Sequence, residues 1–201
     1  IYQADVKPGD VKYVDVNHDG VINASDKVDL GNGLPKYTFG FNVNLAWKGF
    51  DLSANFTGAA GFQIAQSYRD PSSSQANYSR RILKRWTGEG TSNEIPRVTY
   101  GDVGNWLFSD LYLQDGDYIR LQNLTMGYDF KKLISWKGLS KMRLYFQVQN
   151  LFTLTKYDGM DPEIGSFNGT DGNSSDSWVS GVDMGYYPHP RTFIVGLNLA
   201  F

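Results

Sequence analysis

The chain has no cysteine among its 201 residues, and it has no long hydrophobic run. Without thiols it cannot form a disulfide framework, a thiolate metal site or a cysteine nucleophile. No segment approaches the roughly 20 apolar residues of a membrane helix, and the N-terminal IYQADVKPGDVKY lacks the basic start and apolar centre of a signal peptide. If the protein meets a membrane, strands must carry it across.

An excess of charge of one sign is also missing. Lysine and arginine number 19 against 21 acidic residues, and the basic residues are scattered along the chain. This distribution excludes a basic footprint for nucleic acid and offers no polybasic stretch for an anionic membrane surface. There are only two histidines and no nucleophile elbow, phosphate loop or zinc motif, so the sequence predicts that the chain is not an enzyme.

Aromatic residues make up 15% of the chain and glycine contributes 22 residues, a mixture that favours strands and turns over helices. Five segments alternate apolar and polar side chains with the period of a strand: residues 36–48, 50–57, 118–130, 142–152 and 192–201. Lys48 and Gly49 separate the first two segments as a two-residue hairpin turn would. The third segment is regular only in its second half, and Tyr145 interrupts the polar side of the fourth.

The connections between these segments are very unequal in length. Two are short, namely the Lys48-Gly49 turn and KKLISWKGLSK, whereas residues 61–116 and 156–189 form loops far beyond ordinary length. Ile82, Leu83 and Trp86 in the first long loop predict a short amphipathic helix. One short rim and one elaborate rim match the periplasmic and extracellular rims of bacterial outer-membrane barrels.

Alternation alone does not separate a soluble β-sandwich from a membrane barrel. Strand lengths of about 11 to 13 residues, tilted at about 45°, span the ~25 Å apolar band of an outer membrane. Tyr37, Trp47, Phe193 and Phe201 lie near the ends of the apolar sides, as interfacial aromatic girdles require. We therefore predict an all-β fold: about five C-terminal strands of a large antiparallel transmembrane β-barrel with long extracellular loops.

Five strands are too few to close such a barrel, because bacterial barrels begin at about 8 strands. The last strand should run toward the periplasm, which places residues 1–35 in an extracellular loop. Residues 36–201 then form the last barrel strands, with residues 61–116 and 156–189 as extracellular loops. The sequence is accordingly predicted to be the C-terminal part of a longer protein.

Several stretches resemble one known family in order and spacing. They are KPGDVKYVDVNHDGVINASDKVDLGNGLPKYTFGFNVNLAWKGFDLSANFTG, RW with a later PR, DGDYIRLQNLTMGYDF, LYFQVQNLFTLTKYDGMDPEIG and YPHPRTFIVGLNLAF. QNLFTLTKY followed by DPEIG, together with the terminal Phe201, is the most specific part. The chain resembles the C-terminal portion of a SusC/RagA-type TonB-dependent outer-membrane transporter.

That resemblance implies a 22-stranded barrel with an N-terminal plug domain. Neither the plug domain nor a TonB box is present in this sequence. It implies a bacterial outer-membrane location and contact with outer-membrane lipid. It further implies import of large nutrients, oligosaccharides or peptides, with a SusD-like surface lipoprotein over the barrel and the TonB, ExbB and ExbD complex as energy source. The alternating C-terminus also resembles the signal read by the barrel-assembly machinery, carried by Phe193, Val195, Leu197, Leu199 and Phe201. The simpler interpretation of these five residues is a lipid-facing strand.

The stretch DVNHDGVINASD follows the spacing of a twelve-residue calcium loop. Gly20 permits its sharp turn, and Asp26 replaces the usual glutamate, as in dockerin loops. The predicted ligands are Asp15, Asn17, Asp19, the carbonyl of Val21, Asn23 and Asp26. Bound Ca²⁺ would be structural, clamping the segment that leads into the first strand. A polar loop of Asx turns without metal is the alternative.

Aromatic side chains in the long loops are candidates for substrate or lid contact, because their faces could stack on sugar rings. These residues are Trp86, Trp106, Trp178, Tyr186 and Tyr187, and packing within the loops explains them equally well. Three polar residues, Asp51, Asn55 and Gln147, are expected to line the lumen or to meet the plug. The two histidines, His18 and His189, are interpreted as solvent-exposed loop residues.

Two other classes of protein compete with the transporter. The first is a secreted calcium-dependent binding module with a dockerin-like loop and a β-sandwich. The second is an outer-membrane hydrolase, since Asp158, Asp161 and Glu163 could imitate the carboxylate pair of a glycosidase. Near a barrel rim these carboxylates are more readily explained as turn caps or partner contacts.

Overall fold

The computed structural model describes residues 2–67, 79–99, 104–134, 136–164 and 180–201. The strands are β1 (Tyr37–Trp47), β2 (Phe50–Ala60), β3 (Gln63–Gln66), β4 (Leu113–Asp115), β5 (Tyr118–Asp129), β6 (Lys141–Thr155), β7 (Val182–Asp183) and β8 (Thr192–Ala200). Short 3-10 helices span Ala24–Asp26, Arg80–Lys84, Gly104–Trp106, Asp110–Tyr112 and Phe130–Lys132. Over these residues, none of the helices is both long and apolar enough to cross a membrane.

Two sheets account for all the strands, and no α-helix occurs in the described residues. The main sheet has the order β1-β2-β5-β6-β8 and is antiparallel throughout, while a small sheet has the order β4-β3-β7. The predicted all-β, antiparallel fold is confirmed. The short helix predicted around Ile82 is present as a 3-10 helix, Arg80–Lys84, but its Leu83 is 77% exposed and not part of a buried side.

The chain divides into two compact units, each described here by itself. The loop unit comprises Ile1–Gly31 and Gln66–Leu113, and the sheet unit comprises Asn32–Ala65 and Gln114–Phe201. The structure thus groups the middle of the first long loop with the N-terminal segment. Which rim of the main sheet faces the cell exterior stays a prediction.

The main sheet has one apolar face and one polar face, and cross-strand register keeps them separate. One row of partners on the apolar face is Leu45, Leu52, Met126, Phe146 and Val195, one from each strand. Leu45 is 59% exposed and Val195 72% exposed, so nothing in the described chain covers this face. A β-sandwich buries such a face against a second sheet. The secreted sandwich is therefore the wrong fold.

A β-bulge crosses the middle of the main sheet. On β2 residues Asn55 and Phe56 are consecutive, but their β5 partners are Asn123 and Leu121, which leaves Gln122 unpaired. On β6 the same level contains Asn150, whose φ of 52° is left-handed. The bulge reverses the phase of alternation, which is why the third segment of the sequence is irregular in its first half.

The reversal places Arg120 on the polar face, opposite Thr57 of β2 and Thr153 of β6. Uninterrupted alternation from Leu124 would have put Arg120 on the apolar face. The bulge therefore decides the side of the sheet on which this buried cation lies.

Tyr145 lies on the polar face because a glycine opposite it leaves room for the ring. A Cβ on Gly196 would fall 2.3 Å from the Tyr145 ring. The guanidinium of Arg143 lies 5.0 Å from the centre of the same ring, and its Nε donates to Asp51 at 2.8 Å. This ion pair passes over Gly127, where any Cβ would collide with the guanidinium. Glycines thus make room for an ordered polar surface.

The buried core of the sheet unit lies at the end of the main sheet that carries the long loops. Ala59, Phe62, Ile64 and Tyr157 pack together, with Tyr118 and Ile164 against them. The Tyr157 hydroxyl donates to the carboxylate of Asp183, which is 1% exposed and also accepts from the backbone N–H groups of residues 185 and 186. These bonds hold the β6–β8 connection close to the strands.

Candidate functional site

A buried polar network joins the polar face of the main sheet to the loop that follows β6. Arg120, 2% exposed, donates to Thr153 at 2.9 Å, to Glu163 at 2.8 Å and to Asp161. The other oxygen of Asp161 lies 3.0 Å from Nδ1 of His189 and accepts from its backbone N–H at 3.1 Å. One arginine therefore organises residues from β5, β6 and both ends of the β6–β8 connection.

The charge balance in this network favours an ionised Asp161. Burial raises the pKa of this carboxyl, but hydrogen bonds from His189, Glu163 and Arg120 outweigh burial and leave the pKa below its usual range. A cation and two backbone N–H groups thus share one buried anion. The arrangement can position loops, because both carboxylate oxygens of Asp161 are engaged with neighbouring segments.

We expect the stability of this loop to depend on pH through Asp161. Since the folded pKa lies below the unfolded value of about 3.9, the carboxylate contributes stability above about pH 4 and loses that contribution as pH falls through the folded pKa. Hydrogen exchange of residues 158–164, compared between the unmodified protein and Asp161→Asn, measures it. The difference between the two proteins should shrink as pH falls below about 4. Parallel pH profiles would contradict this.

The three carboxylates that could imitate a glycosidase do not form a free acid pair. Asp161 and Glu163 both bind Arg120, and Asp161 is 4% exposed. The backbone N–H of Asp158 donates to the Gln114 side chain at 3.0 Å. A buried carboxylate held by a cation lacks both the raised pKa of a general acid and access to substrate.

His189 lies in a loop and is exposed, as predicted, and it also has a polar partner. Its ring is 42% exposed, yet Nδ1 contacts Asp161. No feature of the sequence indicates this contact, because Asp161 and His189 are 28 residues apart. The only local sign of the network was an arginine inside the otherwise apolar half-segment YIRL.

In the loop unit, the stretches KPGD, RW and PR come together as one cluster. Arg97 forms a bidentate pair with Asp10, at 2.6 and 3.0 Å, and Asn105 donates to the same carboxylate at 2.8 Å. Trp86 packs on Gly9, where a Cβ would lie 2.3 Å from the indole. Burial raises the pKa of Asp10, but the hydrogen bonds from Arg97 and Asn105 outweigh it and lower the pKa. Three distant motifs therefore build a single structural centre.

A groove of about 540 Å³ lies beside this cluster. Its lining combines one aromatic side chain with polar and charged residues, including Trp86, Asn93, Glu94, Lys12 and Asp110. Trp86, one of the predicted contact residues, lines this groove. Trp106 ends the 3-10 helix Gly104–Trp106, Tyr186 and Tyr187 are 41% and 82% exposed in the sheet unit, and Trp178 lies outside the described residues.

The predicted calcium loop is a series of Asx turns in this structure. The Asp15 carboxylate is buried and accepts from the N–H groups of Asp19 and Gly20, at 3.2 and 2.9 Å. Asp26 accepts from Val16 and Asn23 at 2.9 and 2.8 Å. Across the described ranges, no three His, Cys, Asp or Glu side chains are grouped so as to hold a metal ion. The oxygen donors are of the kind that calcium prefers, and calcium binding stays a prediction.

The residues predicted as an assembly signal form one side of β8. Phe193, Val195, Leu197 and Leu199 pair across β6 with Val148, Phe146, Leu144 and Met142. Phe201 follows the strand, is 81% exposed, and meets the Trp136 ring edge-on at 6.3 Å. Their apolar, outward placement satisfies the simpler interpretation, and recognition by the assembly machinery stays a prediction.

A membrane-length antiparallel sheet with an uncovered apolar face and a hydrogen-bonded polar face defines the wall of a transmembrane β-barrel. Solved structures share this fold. The RagAB peptide transporter matches with a TM-score of 0.64 and 24% identity, covering 85% of this chain and 18% of that one. The RagAB peptide importer in its open-open state gives 0.60 and 23% identity, covering 84% and 17%.

Sequence relatives agree over almost the whole chain. TonB-dependent receptor P3 of Formosa agariphila is 35% identical over 199 residues, which is 98% of this chain and 19% of that protein. Receptor P26 of the same organism is 30% identical, covering 96% and 20%, and SusC of Bacteroides thetaiotaomicron is 29% identical, covering 100% and 18%. No protein-family model matches the chain.

The chain belongs to the SusC-like TonB-dependent receptors and spans about one fifth of the length of the curated relatives it matches. The predicted family and outer-membrane location are confirmed. The relatives are named as receptors and importers rather than enzymes, which confirms that prediction as well.

Proposed function

We propose that this chain forms part of the wall of a TonB-dependent importer that takes large nutrients, oligosaccharides or peptides, across the outer membrane. The observation that carries the proposal is a five-stranded sheet with one uncovered apolar face and one ordered polar face, in a chain 35% identical to a TonB-dependent receptor. The apolar face suits lipid, and the polar face suits a hydrated lumen or a plug.

The proposed partners are a SusD-like surface lipoprotein and, through parts of the receptor outside this chain, the TonB, ExbB and ExbD complex. The naming of SusC and of the RagAB importer among the similar proteins supports them. The barrel-assembly machinery is proposed to read β8. Of the proposed substrate or lid contacts, Trp86 is the best supported, because it lines a polar groove.

Deletion of the full-length receptor gene tests the import function. Growth on oligosaccharides or on peptides as sole nutrient should be lost, while growth on monosaccharides and amino acids continues, and a tonB deletion should give the same pattern. Co-purification of a surface lipoprotein with the tagged receptor tests the partner. Undiminished growth of the deletion strain on every oligomeric nutrient would refute the proposal.

We propose, separately, that the loop from Asp15 to Asp26 binds Ca²⁺ as a structural clamp, supported by its three carboxylates, its two amides and its spacing. Calcium should bind the full-length receptor with a Kd of about 10⁻⁴ to 10⁻³ M, as for extracellular modules. Chelation should speed proteolysis within residues 15–26 without unfolding the barrel. Asp15→Asn should abolish the effect, and Asp5→Asn, which lies outside the loop, should not. Equal proteolysis with and without calcium would favour the metal-free Asx-turn loop.

A further inference from the structure

Lysines that are scattered in the sequence gather at one end of the main sheet. The short connections, β1 to β2 and β5 to β6, bring Lys48, Lys131, Lys137 and Lys141 to the same rim. The carboxylates at this rim are already engaged. Asp51 binds Arg143, and Asp129 accepts from the N–H groups of residues 131 and 142. We call this end of the sheet the short-turn rim.

Two of these lysines are well placed to meet a ligand. Lys48 and Lys137 are exposed, and over the ranges that the structure covers no acidic side chain pairs with either. Lys131 differs, since its Nζ donates to the carbonyl of Trp136 at 2.7 Å and so orders the turn. The short-turn rim therefore presents two exposed lysines, Lys48 and Lys137, that pair with no acidic side chain in the described ranges.

An aromatic row lies directly against these charges on the apolar side. It consists of Trp47, Phe50, Tyr128, Phe130, Trp136 and Phe201. Neighbouring rings touch, with centroids 4.4 Å apart for Phe50 and Tyr128 and 4.9 Å apart for Tyr128 and Phe130. Trp47 is 68% exposed, and the Nζ of Lys48 lies 4.9 Å from its ring.

The lysines and the aromatic row suit two different parts of a lipid molecule. Aromatic rings settle at the level of the headgroups, and lysine stems extend along them so that the ammonium reaches the phosphates. A lipid with no net charge gains little from this arrangement. An anionic lipid gains roughly 1 kcal/mol for each nearby lysine, or about fivefold in binding.

The other end of the sheet has a different balance of charge, with acidic and basic residues mixed. Around the long loops lie Asp115, Asp117, Asp158 and Glu163, while Lys156 faces Asp115 at 3.8 Å. The charge difference between the two ends is a property of the fold. The sequence alone, with its near balance of 19 basic and 21 acidic residues, predicted no attraction to an anionic membrane surface.

We infer that the short-turn rim, with Lys48 and Lys137 beside the aromatic row, is a binding surface for anionic glycerophospholipid headgroups. The apolar face fixes the depth of the sheet in the bilayer, and the two lysines select negatively charged lipids at that boundary. The inference depends on the membrane-spanning fold and not on what the receptor imports.

Photoactivatable lipids test this inference on the full-length receptor in vesicles. Phosphatidylglycerol and phosphatidylcholine analogues are present in equal amounts, and labelled peptides are identified by mass spectrometry. Peptides that cover residues 45–52 and 130–138 should label more with phosphatidylglycerol. This preference should fall about fivefold per lysine in Lys48→Gln/Lys137→Gln. The control, Lys36→Gln/Lys156→Gln, removes the same charge at the long-loop end and should leave the preference intact.

Heat modifiability on gels checks that each variant is folded. Should the first variant fail to assemble, the unmodified receptor still decides the matter, because raising salt from about 10 mM to about 500 mM should reduce a charge-based preference. Equal labelling by the two lipids in the unmodified receptor would overturn the inference. So would a preference that survives Lys48→Gln/Lys137→Gln in the folded barrel.

Discussion

Arg120→Ala is expected to destabilise the receptor by about 3–5 kcal/mol, which is the usual cost of removing one partner from a buried ion pair. Asp161, 4% exposed, would keep its charge with only backbone groups and His189 to satisfy it. The contribution from Glu163 is smaller, because its side chain is 48% exposed and the pair is screened by water. The free energy of unfolding in urea, measured on the full-length receptor in lipid, gives the change.

The matched control is Arg191→Ala, since Arg191 is exposed in the same unit and should change stability by less than about 0.5 kcal/mol. A double variant, Arg120→Met/Asp161→Leu, separates charge from packing. With both charges gone, it should be more stable than Arg120→Ala alone. If Arg120→Ala matched the control, the network would have no energetic role.

Gly196→Ala should cost about 1–3 kcal/mol, because the new methyl group overlaps the Tyr145 ring at 2.3 Å. The ring cannot simply turn away, since the guanidinium of Arg143 lies over it and is itself tied to Asp51. The strain should therefore pass from the Tyr145 ring to the Arg143 guanidinium and to its ion pair with Asp51. Urea unfolding of the full-length receptor measures the cost.

Gly40→Ala is the control, because Gly40 also lies on the polar face and its Cβ would meet only the Phe56 carbonyl, at 3.4 Å. Its effect should remain within about 0.5 kcal/mol. Combining Gly196→Ala with Tyr145→Ala should give less than the sum of the two single effects, as contacting residues do. Additive costs would show that the ring and the glycine do not interact.

The strands could be predicted from the sequence because side-chain alternation is a local property. The face of the sheet on which a side chain lies follows from its sequence neighbours. The hairpin at Lys48 and Gly49 and the apolar row of β8 could therefore be predicted without knowing the fold. Tyr145 looked like an interruption for the opposite reason. Its partner, Gly196, is supplied by another strand, and only register brings the two together.

The polar sites were not predictable in the same way, because their partners are far apart in sequence. Arg120 and Asp161 are separated by 41 residues, and Asp10 and Arg97 by 87. The short stretches KPGD, RW and PR resemble family features, yet nothing local indicates that they form one cluster. The lysines of the short-turn rim likewise become neighbours only through strand order.

The position of the bulge at Gln122 also indicates how the main sheet is placed across the membrane. β8 begins at that level, where Thr192 pairs with Gln149, and it runs nine residues to Ala200. Nine residues at about 3.4 Å each, tilted by about 45°, rise roughly 22 Å, close to the ~25 Å apolar band of an outer membrane. The strand segment between the bulge and the short-turn rim therefore has about the length needed to cross that band. We expect Arg120, on the long-loop side of the bulge, to lie near the boundary between lipid and water.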